Sequence, residues 1–214
     1  MYNTILFDLD GTLTDSGTGI INSAIHALKK MGIEETDREK LKAFIGPPLT
    51  YSFQTFYGCS EEESLKAVEY YREYFSVDGK FENSVYEGIR EVLEELRNNG
   101  RRLVVATSKP ELFTHQILEH FDLDKYFDFV AGATMDETRN TKPEVIKYAL
   151  ESCGLTDMSD LVMVGDRHHD IDGANAFGID SVGVLYGYGS RAELEEAGAT
   201  YIAETPADIL KCIL

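Results

Sequence analysis

Two aspartates stand two positions apart in "FDLDGTLTDS" (Phe7–Ser16), where an apolar run ends and a glycine follows at once. Side chains alternate across a strand, so a chain extended through position 10 points Asp8 and Asp10 the same way. Carboxylates that close repel each other unless a cation lies between them or one keeps its proton. Gly11 lets the backbone turn tightly and bring amides toward a ligand, with the Thr12 hydroxyl next to it. The plainer alternative is a strand-end turn with solvated aspartates, since Asp and Gly dominate turns. A second acidic pair lies in "VMVGDRHHD", with Asp166 at a strand end and Asp170 four residues on, where a helix is due to begin. Alone, Asp170 reads equally well as a helix-start carboxylate favoured by the dipole.

Oxygen ligands at this density suit a hard ion, and Mg²⁺ held by a few carboxylates, water and substrate phosphate is the usual arrangement. Zinc would draw on His168 and His169, but neighbouring positions diverge on a helix. "ATSKP" offers the Thr107 and Ser108 hydroxyls at another strand end, and "NTKPE" offers Lys142 before Pro143 opens a helix. A metal, hydroxyl and backbone donors, and an ammonium make up the kit for a transferring phosphoryl group. Lys142 taken singly reads as a solvated surface lysine, and Lys109 competes for its role. Spacing does not choose between them.

The elements that must position these residues read as strands and helices in alternation. Apolar runs of strand length fall at Thr4–Asp10, Arg101–Ser108, Asp128–Ala133, Leu161–Asp166 and Ser181–Tyr186. Amphipathic stretches at Glu87–Asn99, Pro110–Phe121, Pro143–Cys153 and Asp170–Phe177 lie between or after them. This order predicts an α/β fold, a doubly wound Rossmann-like parallel sheet with helices on both faces. From about Ser16 to Tyr86 the alternation breaks into four helical patterns, Ile20–Met31, Arg38–Phe44, Leu49–Tyr57 and Glu61–Phe75, with no convincing strand. An insert leaving from the end of the first strand is placed to be a lid over the strand mouths, with hinges near Asp15–Gly19 and Lys80–Tyr86. The aromatics Phe44, Tyr51, Phe53 and Phe56 read as core of that insert, with stacking on a base as the alternative.

Composition narrows the partners. Lysine and arginine total 20 against 38 acidic residues, a formal net charge of −18, which repels nucleic acid and anionic membranes and makes neither an expected partner. An anionic substrate is admitted only where a cation or a few basic groups reverse the field. Cys59, Cys153 and Cys212, odd in number and without CxxC spacing, read as reduced, buried thiols. With no basic leader before a long apolar stretch and no run of membrane-spanning length, the expectation is a cytoplasmic protein.

Four motifs in this order, "DLDGT" (Asp8–Thr12), the hydroxyls of "VVATS", the lysine of "TKPE" and "GDRHHD" (Gly165–Asp170), resemble the haloacid dehalogenase superfamily, and its phosphatase branch in particular, along the whole chain. "FIGPPLTYSF", "GDRHHDIDGANAFGI" and "GVLYGYGS" are similar to its phosphoglycolate phosphatase and 5′-nucleotidase-like subgroup. The resemblance implies an α/β core at 1–15 and 86–214 and an inserted all-helical cap domain at 16–85. It implies Asp8 as nucleophile, forming an aspartyl-phosphate, and Asp10 as acid and then base. Mg²⁺ would be held by Asp8, the Asp10 main-chain carbonyl and Asp166, with Asp170 supporting through water or by orienting Lys142. Thr107 would bond the phosphoryl group, and the family pattern selects Lys142 over Lys109. Gly11, Thr12 and Ser108 would line the substrate phosphate, Ser108 standing where close relatives often carry asparagine. Gly46 and Pro47, in the cap loop Ile45–Leu49, would face the substrate. Asp10 argues for phosphoryl transfer over carbon–halogen hydrolysis, because dehalogenases of this superfamily lack an acid there. Lys29 and Lys30 leave open a phosphonatase amine, and the core motifs would equally serve a phosphosugar mutase or a receiver-like phospho-acceptor module. The resulting expectation is a Mg²⁺-dependent phosphomonoesterase, monomer or homodimer, acting on a small phosphorylated metabolite: nucleoside 5′-monophosphates, or alternatively phosphoglycolate.

Overall fold

A computed structural model describes residues 2–214. In chain order the elements are β1 (Thr4–Phe7), β2 (Thr14–Asp15), α1 (Gly17–Lys30), α2 (Arg38–Leu41), α3 (Leu49–Tyr57), α4 (Glu61–Tyr74), β3 (Ser84–Val85), α5 (Ile89–Asn98), β4 (Arg102–Pro110) and α6 (Glu111–His120). They continue with β5 (Phe129–Ala133), α7 (Lys142–Cys153), β6 (Leu161–Gly165), α8 (His168–Asn175), β7 (Asp180–Val184), α9 (Arg191–Glu196), β8 (Tyr201–Ala203) and α10 (Pro206–Ile213). The chain divides into two compact units, one of Met1–Thr14 with Val85–Leu214, the other of Asp15–Ser84.

The larger unit is a parallel sheet in the order β5-β4-β1-β6-β7-β8, with β1 paired in register to β4 (Phe7 to Val105) and to β6 (Phe7 to Val164). Its central strands are apolar on both faces because helices cover both. Leu6, Val104, Ala106 and Met163 pack on Val145, Ile146, Ala149 and Ala174 of α7 and α8. Ile5, Phe7, Leu103 and Val105, at the alternate positions, are also fully buried, and Phe7 meets Phe127 edge to face at 6.2 Å. This is the doubly wound fold that the alternation predicts.

The smaller unit is helical. Ser60 and Glu63 close a capping box at the start of α4, Ser60 Oγ accepting the Glu63 amide and Glu63 accepting that of Ser60. Phe44 and Phe53 are buried and pack edge to face at 4.9 Å, whereas Tyr51 and Phe56 are 53% and 37% exposed. The aromatic stripe is therefore half core and half surface.

Several sequence expectations need correction. The first strand ends at Phe7 and not at Asp10: the Leu9 carbonyl accepts the amides of Leu13 and Thr14 and turns the chain away. The two-residue strand β3 falls inside the stretch read as strandless. The structure adds α9, β8 and α10 to the elements expected, the first two holding only 6 and 3 residues. The three cysteines are free, as expected, but partly exposed and not buried.

Leu6 lies at the centre of the sheet with its side chain fully enclosed. Leu6→Ala should lower unfolding free energy by about 2–5 kcal/mol, read from the denaturant midpoint at constant slope. A loss under about 1 kcal/mol would show that the core does not close on this residue.

Candidate active site

β4, β1 and β6 lie side by side, so the residues in the last part of β4 and just beyond β1 and β6 meet at one mouth, the place where open α/β sheets bind ligands. The Asp8 amide still donates to the Val164 carbonyl at 2.9 Å, which holds Asp8 to β6 one residue beyond β1. Asp8, Asp10, Thr107, Lys109, Lys142, Asp166 and Asp170 are all buried there. Carboxylate oxygens of Asp8, Asp166 and Asp170 lie within 4.8 Å of one another.

Each lysine serves a different aspartate. Lys142, the first residue of α7, places Nζ 2.8 Å from Asp8 Oδ1, 2.7 Å from Asp170 Oδ1 and 3.0 Å from the Ala106 carbonyl. Its helix start is fixed by Glu144, whose carboxylate accepts from the Thr141 amide and hydroxyl at 3.1 and 2.9 Å. Lys109 lies 2.9 Å from Asp10 Oδ2. Asp170 does two jobs: its Oδ2 accepts the Arg167 amide at 3.1 Å at the start of α8, while Oδ1 faces Lys142. The helix-start reading of this residue is seen on one oxygen, and the other faces the lysine.

Four buried carboxylates face two buried ammonium groups, leaving an excess of two negative charges. Asp166 carries the imbalance. Its Oδ2 accepts the Tyr188 amide at 2.7 Å, but its Oδ1 is buried without a hydrogen-bond partner. Burial first, then repulsion from Asp170 and Asp8, pushes its carboxyl well above the usual carboxylate range. Burial likewise raises Asp170 to about 6, against the pull of Lys142. For Lys142 burial favours the neutral amine, yet Asp170 and Asp8 outweigh it and hold the ammonium form. An all-oxygen donor set with an unpartnered carboxylate oxygen and two surplus charges fits a hard divalent cation, and Asp8, Asp166 and Asp170 are the residues that would hold it.

The loops around the cluster are built for close approach. A Cβ on Gly11, whose φ is +82°, would stand 2.1 Å from Asp166 Oδ2, so glycine is required there both by conformation and by space. A Cβ on Gly187 would meet the Gly11 carbonyl at 2.3 Å. Between these two contacts the Tyr186 hydroxyl donates to the Thr12 carbonyl at 3.0 Å, and its ring meets Tyr86 at 4.9 Å. At the start of α8, Glu193 Oε1 gathers Arg167 Nε, the His168 amide and His168 Nδ1 at 2.8–3.0 Å. Burial opposes that charge, but these donors bring Glu193 down to about 2.

The sequence-predicted residues divide as follows. Asp8, Asp10, Gly11, Thr107, Lys142, Asp166 and Asp170 come together; Thr12 is fully buried beside them with its hydroxyl unpartnered, and Ser108 is half-buried next to Thr107. Gly46, at φ +106°, and Pro47 lie in the helical unit, between a 3₁₀ turn and α3. Asp10 contributes no carboxylate to the metal-competent triad. Lys109, set aside on sequence, is in the cluster. Its signal was available: it stands two residues after Thr107, on the same face of a strand that runs through both. The rings of His168 and His169 do not diverge but lie 3.8 Å apart, and neither is in the triad.

A parallel sheet with acidic groups just beyond its central strands, two lysines and a threonine in the last part of β4 defines a hydrolase class, and similarity bears this out. The family model for haloacid dehalogenase-like hydrolases matches residues 5–184, and the chain belongs to that family. It is 46% identical over 200 residues to a 5′-nucleotidase of Pseudomonas aeruginosa, covering 94% of this chain and 90% of that one. It is 41% identical to the tyrosine-protein kinase PtkA of Mycobacterium tuberculosis, over 92% of this chain and 67% of the relative. Among solved structures, a predicted phosphatase from Clostridium acetobutylicum has a TM-score of 0.97 at 47% identity, covering 100% of this chain and 98% of that one. Within its family the chain groups with the phosphatases.

Because Asp166 and Asp170 bind protons more tightly folded than unfolded, the metal-free protein loses stability as pH rises through their folded values. Mg²⁺ should therefore raise the melting temperature more at pH 7.5 than at pH 5. Asp166→Asn should remove that Mg²⁺ shift and stabilise the metal-free protein by on the order of 1–2 kcal/mol, since it deletes an uncompensated buried charge. Equal Mg²⁺ shifts at both pH values, or a destabilised Asp166→Asn, would contradict this electrostatic account.

Proposed function

We propose that the protein is a Mg²⁺-dependent phosphomonoesterase that works through an aspartyl-phosphate on Asp8. The observation that carries this reading is the Asp8 carboxylate itself, buried at a strand end between the Lys142 ammonium and two carboxylates with charge to spare. The ion would neutralise charge on the phosphoryl oxygens and on the carboxylates around them.

Asp8 attacks phosphorus, forming a P–O bond to its carboxylate as the bond to the leaving oxygen breaks. Asp10 gives that oxygen its proton, so the alcohol departs neutral. Water then attacks the same phosphorus, losing a proton to Asp10, and phosphate leaves with Asp8 regenerated. Lys142 offsets the charge on Asp8 and the phosphoryl group, Thr107 and Ser108 donate to the phosphoryl oxygens, and Gly11 and Thr12 line the approach. Asp170 holds Lys142 in place.

The helical unit is assigned the role of cap and substrate selector, through Gly46 and Pro47. Nucleoside 5′-monophosphates are the substrate class favoured, supported by the near full-length similarity to a 5′-nucleotidase and by the exposed aromatic faces of Tyr51 and Phe56. Phosphoglycolate is the second choice. No described helix is long and apolar enough to cross a membrane; a cytoplasmic location, a small-metabolite partner and a monomer or homodimer belong to the same proposal.

Assays on p-nitrophenyl phosphate, nucleoside 5′-monophosphates, phosphoglycolate and sugar phosphates should show turnover with Mg²⁺ that EDTA abolishes. Asp8→Asn should lower kcat at least about 10³-fold; turnover indifferent to that substitution would defeat the mechanism. Tyr51→Ala should raise KM for the nucleotides several-fold more than for phosphoglycolate, and a uniform change would remove the base-stacking role.

A further inference from the structure

Lys109 has no part in the steps above, yet it is among the most enclosed cations of the molecule. Its side chain is 6% exposed and that of its partner Asp10 is 11% exposed. Its backbone is held on several sides. The Lys109 amide donates to Thr107 Oγ1 at 3.3 Å, its carbonyl accepts from Thr114 Oγ1 at 3.5 Å, and a Cβ on Gly132 of β5 would come within 2.7 Å of that carbonyl. With its backbone held and its side chain enclosed, the lysine has lost rotamer freedom, and its Nζ lies against one oxygen of Asp10.

The two oxygens of Asp10 are unlike. Oδ2 meets Lys109 Nζ at 2.9 Å, whereas Oδ1 is buried without a hydrogen-bond partner. Lys142 is taken up by Asp8 and Asp170, and the metal-competent triad omits Asp10. We propose that Lys109 is a positioning residue: it grips Oδ2 and so presents Oδ1 as the oxygen that gives a proton to the leaving group and later takes one from water. The inference rests on the phosphomonoesterase reading and adds to it the residue that aims the acid. It concerns orientation. Without the ammonium, the Asp10 carboxylate would be free to swing away from the crowded carboxylates beside it, and a misplaced acid loses its catalysis even with its proton intact.

A leaving-group comparison tests this, because only a poor leaving group needs the acid. The purified enzyme with Mg²⁺ is assayed for kcat/KM, which reports the first P–O cleavage, on p-nitrophenyl phosphate and on glycerol phosphate, whose alkoxide must be protonated. Lys109→Met should lose about 100-fold on the alkyl ester but only a few-fold on the aryl ester, in the same order as Asp10→Asn. Should Lys109→Met fail to fold by circular dichroism, Lys109→Gln is judged on the same ratio. Equal losses on both esters would overturn the inference, since Lys109 would then bind the phosphoryl group or merely support the fold; so would no loss on either. Absence of wild-type turnover on both esters would instead overturn the phosphomonoesterase reading on which the inference stands.

Discussion

The molecule's central constraint is electrostatic: four carboxylates buried at one sheet edge against two ammonium groups. Burying a charge is unfavourable unless it is paired and hydrogen-bonded, and here the pairing is deliberately incomplete. Asp8, Asp10 and Asp170 each meet a lysine, while Asp166 takes a backbone amide on one oxygen and, among the described residues, leaves the other without a hydrogen bond. That deficit fits the proposed divalent ion, and such an ion would in turn admit a phosphate that the protein's net charge of −18 would otherwise repel. It also refines what allows Asp8 and Asp10 to stand so close. The two are paired with different lysines, Asp10 with Lys109 and Asp8 with the Lys142 that it shares with Asp170.

Everything nearby serves to hold this unfavourable arrangement in place. The parallel sheet sets β4, β1 and β6 in adjacent positions, so four separated stretches of chain deliver their side chains to one mouth. Helix capping is recruited for the same end: Glu144 fixes the start of α7 and hence Lys142, and Asp170 caps α8 with one oxygen while turning the other to that lysine. The glycine loops press backbone against Asp166 where any side chain would collide, and Tyr186 ties the loop after Asp10 to the end of β7. Local rules of helix and turn formation thereby become the means of aligning reactive groups.

Much of this was legible in the sequence because the motif residues sit where local chemistry announces them. Asp8 and Asp166 end apolar runs, Lys142 precedes a helix-opening proline, and Gly11 follows an aspartate in a turn. Five of the six strands of the sheet were legible as apolar runs, β1 and β6 most plainly because they are buried throughout. The rest depended on distance or brevity. The bond from Tyr186 to Thr12 joins residues 174 apart in sequence, a relation that no local pattern encodes. Lys109 was hidden behind Pro110, which reads as a helix start, although β4 continues through both. The rings of His168 and His169 lie close and tilted while His168 is held by Glu193, 25 residues away in sequence, a tertiary contact that no local pattern announces. The strand β8 spans three residues, too few for any periodicity to register.

Anomalous scattering from crystals grown with Mn²⁺ in place of Mg²⁺ tests the central charge balance most directly. A single strong peak should appear among Asp8, Asp166 and Asp170, about 2.0–2.3 Å from oxygens of Asp8 and Asp166, and it should vanish in Asp166→Asn. A wild-type site that stayed without a peak at saturating Mn²⁺, or a peak that survived the loss of Asp166, would contradict the account.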